Sequence, residues 1–397
     1  MTTTKKPRAS ALAQSKSSSK TADKTADKTA AKTASKKTRT AKPAFVQRHV
    51  AVVGAGMAGV ACARTLVQAG HRVTLIEKSR GLGGRMATRR TEFGGFDHGT
   101  QYFTVRDERF AKALETAQTV VRPWSANTVR VLDDKGRVLA SAPPPTEPHF
   151  VAKPGMSALV NYWAEPLVQP ALHGKLAAST LTGTRVTHIE RDALHPEQWQ
   201  LRAEDTDGGQ HVLGGFDRIV LAMPHLQTHD LLLASGHSPE LRHQLDAVQV
   251  APCWTLMVAY PNAMQPGLPH LGPQWNAARS VHHRISWLAR ENSKPGREPI
   301  ERWTVQASPA WSIKHLEDDE ERVKAKLLKG FAEITGIRAT PTHAVVHRWR
   351  FAQTQKPLGL SHIYDQDLGI GLCGDWCLGH RVEDAFVSGL ELALAMA

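Results

Sequence analysis

Residues 49–85 read HVAVVGAGMAGVACARTLVQAGHRVTLIEKSRGLGGR. An apolar run, a glycine cluster, an amphipathic stretch and a second apolar run closed by an acid spell a βαβ unit. The glycines have separate jobs. Gly54 permits the tight turn off the first strand, Gly56 lets a pyrophosphate approach the backbone, and Gly59 lets helix and strand pack closely. With Ala55, Met57 and Ala58 between them, they place a helix N-terminus, with its free N–H groups and positive dipole end, against an anionic diphosphate. Glu77 closes the second strand, where it can accept hydrogen bonds from an adenosine ribose, and Lys78 comes next. If the glycines served only a tight turn, the acid at the strand end would have no reason to be there.

The chain around this unit has 397 residues, 41% hydrophobic and 22% charged, enough for two lobes or one large interleaved unit. No stretch approaches the ~20 apolar residues of a membrane span, and the N-terminus lacks a secretory signal's apolar core. A cytoplasmic protein with no membrane span is the expectation. Four cysteines, at 62, 253, 373 and 377, are too few for a disulfide scaffold and offer no C-x-x-C zinc site. The net charge of +13 is concentrated at one end. Residues 1–45 hold twelve Lys/Arg against Asp23 and Asp27, a balance of +10, which leaves +3 for the rest. With Lys at 16, 20, 24, 28, 32 and 36 and almost no large apolar residue, this tail reads as disordered. It is Ser-rich like a transit peptide but prefers Lys to Arg, so a solvated or weakly polyanion-binding tail is expected.

The residues beyond Glu77 select among dinucleotides. Nicotinamide dehydrogenases need no further glycine cluster at this point, yet Arg80-Gly81-Leu82-Gly83-Gly84-Arg85 comes at once, and then Phe96-Asp97-His98-Gly99-Thr100-Gln101-Tyr102-Phe103. With Ala63, Leu66, Gly70 and Val73 at their offsets, the pattern resembles the FAD-binding signature of the glutathione-reductase-2 group of flavoproteins, which includes the amine oxidases. Further segments, in order, resemble the bacterial renalase-like oxidoreductases. They are Lys78-Ser79-Arg80-Gly81, Gln101-Tyr102-Phe103-Thr104, Lys153-Pro154-Gly155-Met156-Ser157, Trp287-Leu288-Ala289-Arg290, Ser293-Lys294-Pro295-Gly296-Arg297, His347-Arg348-Trp349 and Cys373-Gly374-Asp375-Trp376-Cys377. The resemblance runs from about residue 48 to the C-terminus and leaves out only the basic tail.

The resemblance implies an α/β fold: a Rossmann-type FAD-binding domain at 48–103, 151–225 and 340–397, interleaved with an α+β substrate domain of mixed sheet and helices at 104–150 and 226–339. Pro143-Pro144-Pro145 should end the first excursion. Three strand signals, Arg185 to Glu190, Trp199 to Ala203 and Phe216 to Met223, fit an antiparallel meander. Trp254 to Tyr260, Ser280 to Leu288 and Arg302 to Ala307 suggest the sheet of the second lobe. A helix is expected from about Leu316 to Ile334, its acidic start matching the helix dipole. Strand Leu368 to Leu372 and a helix from about Glu383 close the chain.

Non-covalent FAD is the implied cofactor, with no metal. By resemblance Gly84, Arg85, Gln101, Tyr102, Val186, Asp375, Val382 and Glu383 join Gly54–Gly59, Glu77 and Lys78 as its contacts. Arg85 is assigned to the diphosphate, and the alternative for it is a surface salt bridge. Asp375 is assigned to the ribityl or diphosphate end, and the helix beginning at Val382 to the N1 and C2 edge of the flavin ring. Cys373 and Cys377 read as small buried hydrophobes. Of the histidines, His282-His283 and His347 lie in strand signals able to reach a pocket, and His347 with Trp349 is the pocket candidate. No nucleophile–base triad stands out, which suits hydride transfer to a flavin, a reaction that needs orientation of the donor carbon rather than a protein base. The resemblance implies oxidation of off-position NAD(P)H isomers to NAD(P)+, with O2 reduced to H2O2. Small-molecule dinucleotides and O2 are the expected partners. Amine oxidation is the alternative within enzymes; the other is a flavoprotein whose tail binds polyanions.

Overall fold

In the computed structural model, the structure describes residues 45–125, 129–139, 147–169, 177–264, 273 and 275–397. The basic tail and the Pro143–Pro145 break lie outside the described residues. The chain opens with β1 (His49–Val53), α1 (Met57–Gln68) and β2 (Arg72–Glu77), the βαβ unit that the glycine pattern indicates. The hairpin β3 (Arg89–Thr91) and β4 (Gly94–Phe96) leads to α2 (Glu108–Glu115), β5 (Val121–Trp124), β6 (Val129–Leu132) and β7 (His149–Ala152). Next come α3 (Ser157–Val168), β8 (Ala178–Thr182), β9 (Thr184–Arg191), β10 (Trp199–Asp205), β11 (Gln210–Phe216) and β12 (Arg218–Leu221). Helices α4 (His225–Ala234) and α5 (Pro239–Leu245) precede β13 (Gln249–Tyr260), β14 (Ala277–Ser280), β15 (Ile285–Arg290) and β16 (Glu301–Ala307). Then α6 (Pro309–Lys314), α7 (Glu320–Thr335), β17 (His343–Lys356), β18 (Ile363–Asp365), β19 (Ile370–Leu372), α8 (Asp375–Leu378) and α9 (Val382–Met396) complete the fold.

Two six-stranded sheets organise these elements into a mixed α/β architecture. The first, in the order β18-β19-β12-β1-β2-β8, is parallel except for its edge strand β18. Its central strands are buried on both faces, as the near-continuous apolar runs of β1 and β2 require. Helix α1 packs against α9 so closely that a Cβ at Gly389 would strike the Ala58 carbonyl. The second sheet, in the order β17-β13-β16-β15-β14-β6, is antiparallel except for the β14–β6 pair. Trp254, Leu256 and Val258 on one face of β13 join Trp303, Val305, Leu327 and Phe331 in a core under α7. Alternation then turns Thr255, Met257 and Ala259 to the opposite face. Segment 340–397 therefore begins in the second sheet and ends in the first.

Three sequence expectations shift. The meander is β9-β10-β11. The signal placed at Phe216 to Met223 is instead β12, a parallel strand between β1 and β19; the meander's third strand, Gln210–Phe216, lies just before it. Helix α7 begins at Glu320 rather than near Leu316, because Asp319 accepts from the Glu321 and Arg322 amides as N-cap. Glu317 and Asp318 lie outside the helix, Glu317 paired with Arg348 and Arg350, Asp318 with His315 and Lys326. Finally, His282 and His283 sit in the turn between β14 and β15, not in a strand. His282 reaches Glu333 at 3.2 Å, and His283 faces a surface hollow with Arg284, Trp311 and Lys314.

Candidate active site

At the carboxyl ends of β1, β2, β12 and β19 the three glycines separate as the sequence suggests. Gly54 has φ +104°, a conformation that L side chains rarely adopt. A Cβ at Gly59 would collide with the Gly54 carbonyl oxygen, so this glycine sets the helix–strand approach. A Cβ at Gly56 would meet nothing within 4 Å. The space in front of Gly56 is open, and α1 starts there with an N-cap that has no side chain and no acid in the first turn. Its amides are left for an anion. Gly83 N–H donates to the Ala55 carbonyl at 2.9 Å, fastening the second glycine cluster beside the first. The Glu77 carboxylate is buried and accepts from the Ala55 amide (2.8 Å) and the Ser79 amide (2.9 Å). It therefore braces the turn as well as closing the strand. Ala55, Met57 and Ala58 are buried in the core cluster around α1.

Arg85 and Asp375, both assigned to the cofactor, are paired with each other. The guanidinium makes a bidentate contact with the carboxylate, with Nη1 to Oδ2 at 2.9 Å, and Thr354 Oγ1 donates to the same Oδ2 at 3.2 Å. The salt-bridge alternative for Arg85 thus holds in part, but with a buried partner at the start of α8 rather than on the surface. Glu383 is also engaged: its Oε2 accepts the Arg106 and Asp107 amides at 2.7 and 3.1 Å, and Arg381 reaches Oε1. Val382 next to it is buried in the first turn of α9. Lys78 extends to Gln227 on α4, and Val186 on β9 packs into the apolar cluster behind the first sheet. Cys62, Cys373 and Cys377 are free and buried; hydrogen bonding to Cys62 and burial push the Cys373 thiol well up. That suits packing, not redox chemistry.

Segment 97–103 joins the two sheets. The Gly99 carbonyl accepts from Gln306 Nε2 at 2.7 Å, the His98 carbonyl from Trp349 Nε1 at 3.0 Å, and Thr100 N–H donates to the Arg85 carbonyl at 2.9 Å. Beneath lies a group of charges that no single stretch of sequence announces. Asp97, Glu291, Lys294 and Arg297 are buried, with Lys294 Nζ 3.1 Å from Asp97 Oδ2 and 3.0 Å from Glu291 Oε2, and Arg297 Nη2 2.7 Å from Asp97 Oδ2. Burial alone would raise the Asp97 carboxyl, but Lys294 and Arg297 outweigh it and hold it at about 2. Lys294 also reaches Gln101 Oε1 at 3.5 Å, while Gln101 Nε2 donates to the Asp97 and Gly99 carbonyls. Gln101 therefore belongs to this network and not to plain core packing. The Ser293–Arg297 motif is visible in the sequence, but nothing local shows that its charges close on Asp97, two hundred residues away.

Register places five residues in one row across the second sheet: His347 on β17 opposes Thr255 on β13, Thr255 opposes Gln306 on β16, Gln306 opposes Trp287 on β15, and Trp287 opposes Arg279 on β14. Directly opposed residues share a face. This one meets segment 98–102, with His98 4.8 Å from the His347 ring and 5.1 Å from Trp349, and Tyr102 5.5 Å from Trp287. Burial, with His347 and Arg89 nearby, lowers His98 to about 4; burial and Arg89 do the same to His347. Both imidazoles are neutral at ordinary pH. The structure thus brings His347 and Trp349 together as expected and adds His98, Gln306, Trp287 and Arg279. No group of metal-ligating side chains occurs among the described residues.

Residues 144–397 match the flavin-containing amine oxidoreductase family, and residues 52–116 match an NAD(P)-binding Rossmann-like domain. The chain belongs to the flavin-containing amine oxidoreductase family. Its cofactor is FAD, and the open floor at Gly56, the uncapped start of α1 and the adjacent Arg85–Asp375 pair fit that cofactor. Among curated relatives, the L-amino-acid oxidase of Bungarus fasciatus is 57% identical over 49 residues and that of Notechis scutatus scutatus 55% over 49. Those matches cover 12% of this chain and only 10% of each relative. The fold is similar to a putative protoporphyrinogen oxidase from Exiguobacterium sp. 255-15 (TM-score 0.65, 14% identity, covering 89% of this chain and 99% of the other). It is equally similar to cyclohexylamine oxidase from Brevibacterium oxydans IH-35A (TM-score 0.65, 13% identity, 88% and 99%). At such identities the likeness is one of fold. No helix among the described residues is long and apolar enough to cross a membrane.

Proposed function

We propose that this oxidoreductase is renalase-like: it oxidises off-position isomers of dihydronicotinamide dinucleotides to NAD(P)+ and passes the electrons to O2, giving H2O2. The balance is NAD(P)H isomer, O2 and one proton in, NAD(P)+ and H2O2 out. Bound non-covalently in the cradle, FAD supplies the two-electron acceptor. Gly54–Gly59, the α1 N-terminus, Glu77 and the Arg85–Asp375 pair would hold it, with Gln101 and Tyr102 alongside.

The observation that carries the substrate choice is the charge of the face between the sheets. An alkylammonium substrate needs an acceptor there, and the nearby carboxylates are not available: Asp97 and Glu291 are neutralised by Lys294 and Arg297. His98 and His347, with pKa values of about 4, are poor bases at neutral pH. Removing hydride from a dihydronicotinamide creates an aromatic cation and leaves no proton for the protein to take, so a face with flat walls such as Trp349, and with no free carboxylate or base, suffices. Its work is orientation.

The test is steady-state oxygen consumption with paired H2O2 detection. Isomeric dihydronicotinamide dinucleotides should be turned over with one H2O2 per dinucleotide, and primary amines, polyamines and L-amino acids should not. Turnover of an amine or amino acid with the dinucleotides inert would replace this reading with amine oxidation.

A further inference from the structure

On the same face, Arg279, Tyr102, His149 and Trp287 form a cluster whose hydrogen-bonding capacity is largely unmet. Arg279 is exposed at the end of the cross-strand row, donates to Tyr102 Oη at 3.3 Å, and has no carboxylate partner among the described residues. Trp287 is only 7% exposed and its Nε1–H finds no acceptor among the described residues. His149 is 8% exposed and its Nδ1 has no partner among the described residues. The rings of His149 and Trp287 flank the Tyr102 phenol, with centroids at 4.0 and 5.5 Å. An indole N–H and a guanidinium can only donate, and leaving a buried donor such as the Trp287 indole unpaired is unfavourable. A ligand that brings acceptor oxygens and negative charge would complement this cluster.

We infer that Arg279, with Trp287 and His149 around Tyr102, forms an oxyanion subsite that binds a phosphate group of the dinucleotide substrate. The subsite deepens the proposed function and rests on it for the identity of the ligand. Arg279 supplies charge and a planar fork of donors suited to a phosphate. Trp287 supplies one directed donor from a rigid, buried ring. The buried electrostatics oppose a cation in this place: burial and the Arg279 charge both lower His149, and Glu147, which acts the other way, is itself paired with Arg106 and Arg381. The same cluster would therefore admit a dinucleotide and disfavour a free amine.

The test uses FAD-loaded full-length protein and calorimetric titration with ADP-ribose, a redox-inert probe that carries the diphosphate, beside adenosine, which does not. Wild type should bind ADP-ribose at least about tenfold more tightly than adenosine, with the difference shrinking at raised salt. Arg279→Ala should lose about tenfold or more of the ADP-ribose affinity while leaving adenosine binding and flavin content unchanged, and Arg279→Lys should recover part of it. Trp287→Phe, which keeps a ring but removes the donor, should weaken ADP-ribose several-fold. Equal binding of the two probes, or an Arg279→Ala variant with unaltered ADP-ribose affinity, overturns the subsite. The two proposals fail separately. If wild type turns over dihydronicotinamide isomers and Arg279→Ala keeps the wild-type KM, only the subsite falls. If Arg279 governs ADP-ribose binding but no dihydronicotinamide is oxidised, the subsite stands and the substrate reading falls.

Discussion

The cradle at the ends of β1 and β2 takes its glycines, its helix start and its acid from one continuous stretch between His49 and Arg85. The row His347–Thr255–Gln306–Trp287–Arg279 takes one residue from each of five strands, with segment 97–103 laid across it. In the first, spacing along the chain is spacing in the site. In the second, register decides, and a shift of one residue in any pairing would turn that strand's side chain to the opposite core. The glycine cradle is thus a local property of this sequence, and the make-up of the sheet face is a property of the assembled sheet.

Substitutions in the cradle should therefore separate binding from folding. Gly56→Leu is expected to abolish flavin loading while the protein stays folded, since a side chain there enters open space. Gly59→Leu should instead disrupt the fold, because its Cβ would collide with the Gly54 carbonyl. Flavin absorbance and thermal unfolding of the two purified variants check both; a loaded Gly56→Leu protein would break the contrast.

At the sheet interface the order reverses. Lys294→Met leaves Asp97 and Glu291 buried with one cation fewer, and removing one partner of a buried ionic group is expected to lower stability by about 3–5 kcal/mol. Urea unfolding measures it, and a loss below about 1 kcal/mol would mean that the group does not hold segment 97–103 in place. Arg85→Ala returns to the cradle with a smaller effect. It should weaken FAD retention by about 1.5–3 kcal/mol, the worth of a charge-assisted hydrogen bond. Unchanged FAD affinity would confine Arg85 to its pairing with Asp375.

The smallest effect distinguishes the two sites by pH. His98 and His347 titrate at about 4 in the folded chain against an ordinary 6.5. Between those values the unfolded chain binds more protons, so stability is present above about pH 6.5 and is lost as pH falls toward 4, with the half-buried His347 contributing less than His98 because solvent screens it. Asp97, held at about 2 against 3.8, contributes stability that is lost only at lower pH. A double variant, His98→Phe with His347→Phe, should flatten the urea midpoint over the upper window alone; an unchanged slope would assign the acid sensitivity to other groups.

The sequence's own legibility divides in the same way. The βαβ unit, β13, β16, β19 and α9 are readable because periodicity and glycine spacing are local signals. Gly54 and Gly59 take the turn and packing roles their spacing suggests, and the space in front of Gly56 is open. The start of α7 is misleading because five consecutive acids look like one helix turn, when Glu317 and Asp318 answer arginines, a lysine and a histidine elsewhere. Asp97 and Lys294 stand in motifs that can be quoted but not joined, since nothing in either stretch encodes their meeting. Arg279 and His149 lie in no motif at all; only register and the unpaired donor of Trp287 give them a role.

The central claim, a local cradle for FAD and a sheet face that orients a dinucleotide without a protein base, is tested most directly by anaerobic rapid mixing. The FAD-loaded protein should lose its flavin absorbance in a single phase on mixing with isomeric dihydronicotinamide dinucleotides, and deuterium on the transferred carbon should slow it. The rate should change little between about pH 6 and about pH 8, and amines should leave the flavin oxidised. Bleaching by an amine but not by the dinucleotides, or a rate governed by one group with a pKa near neutrality, would contradict the account.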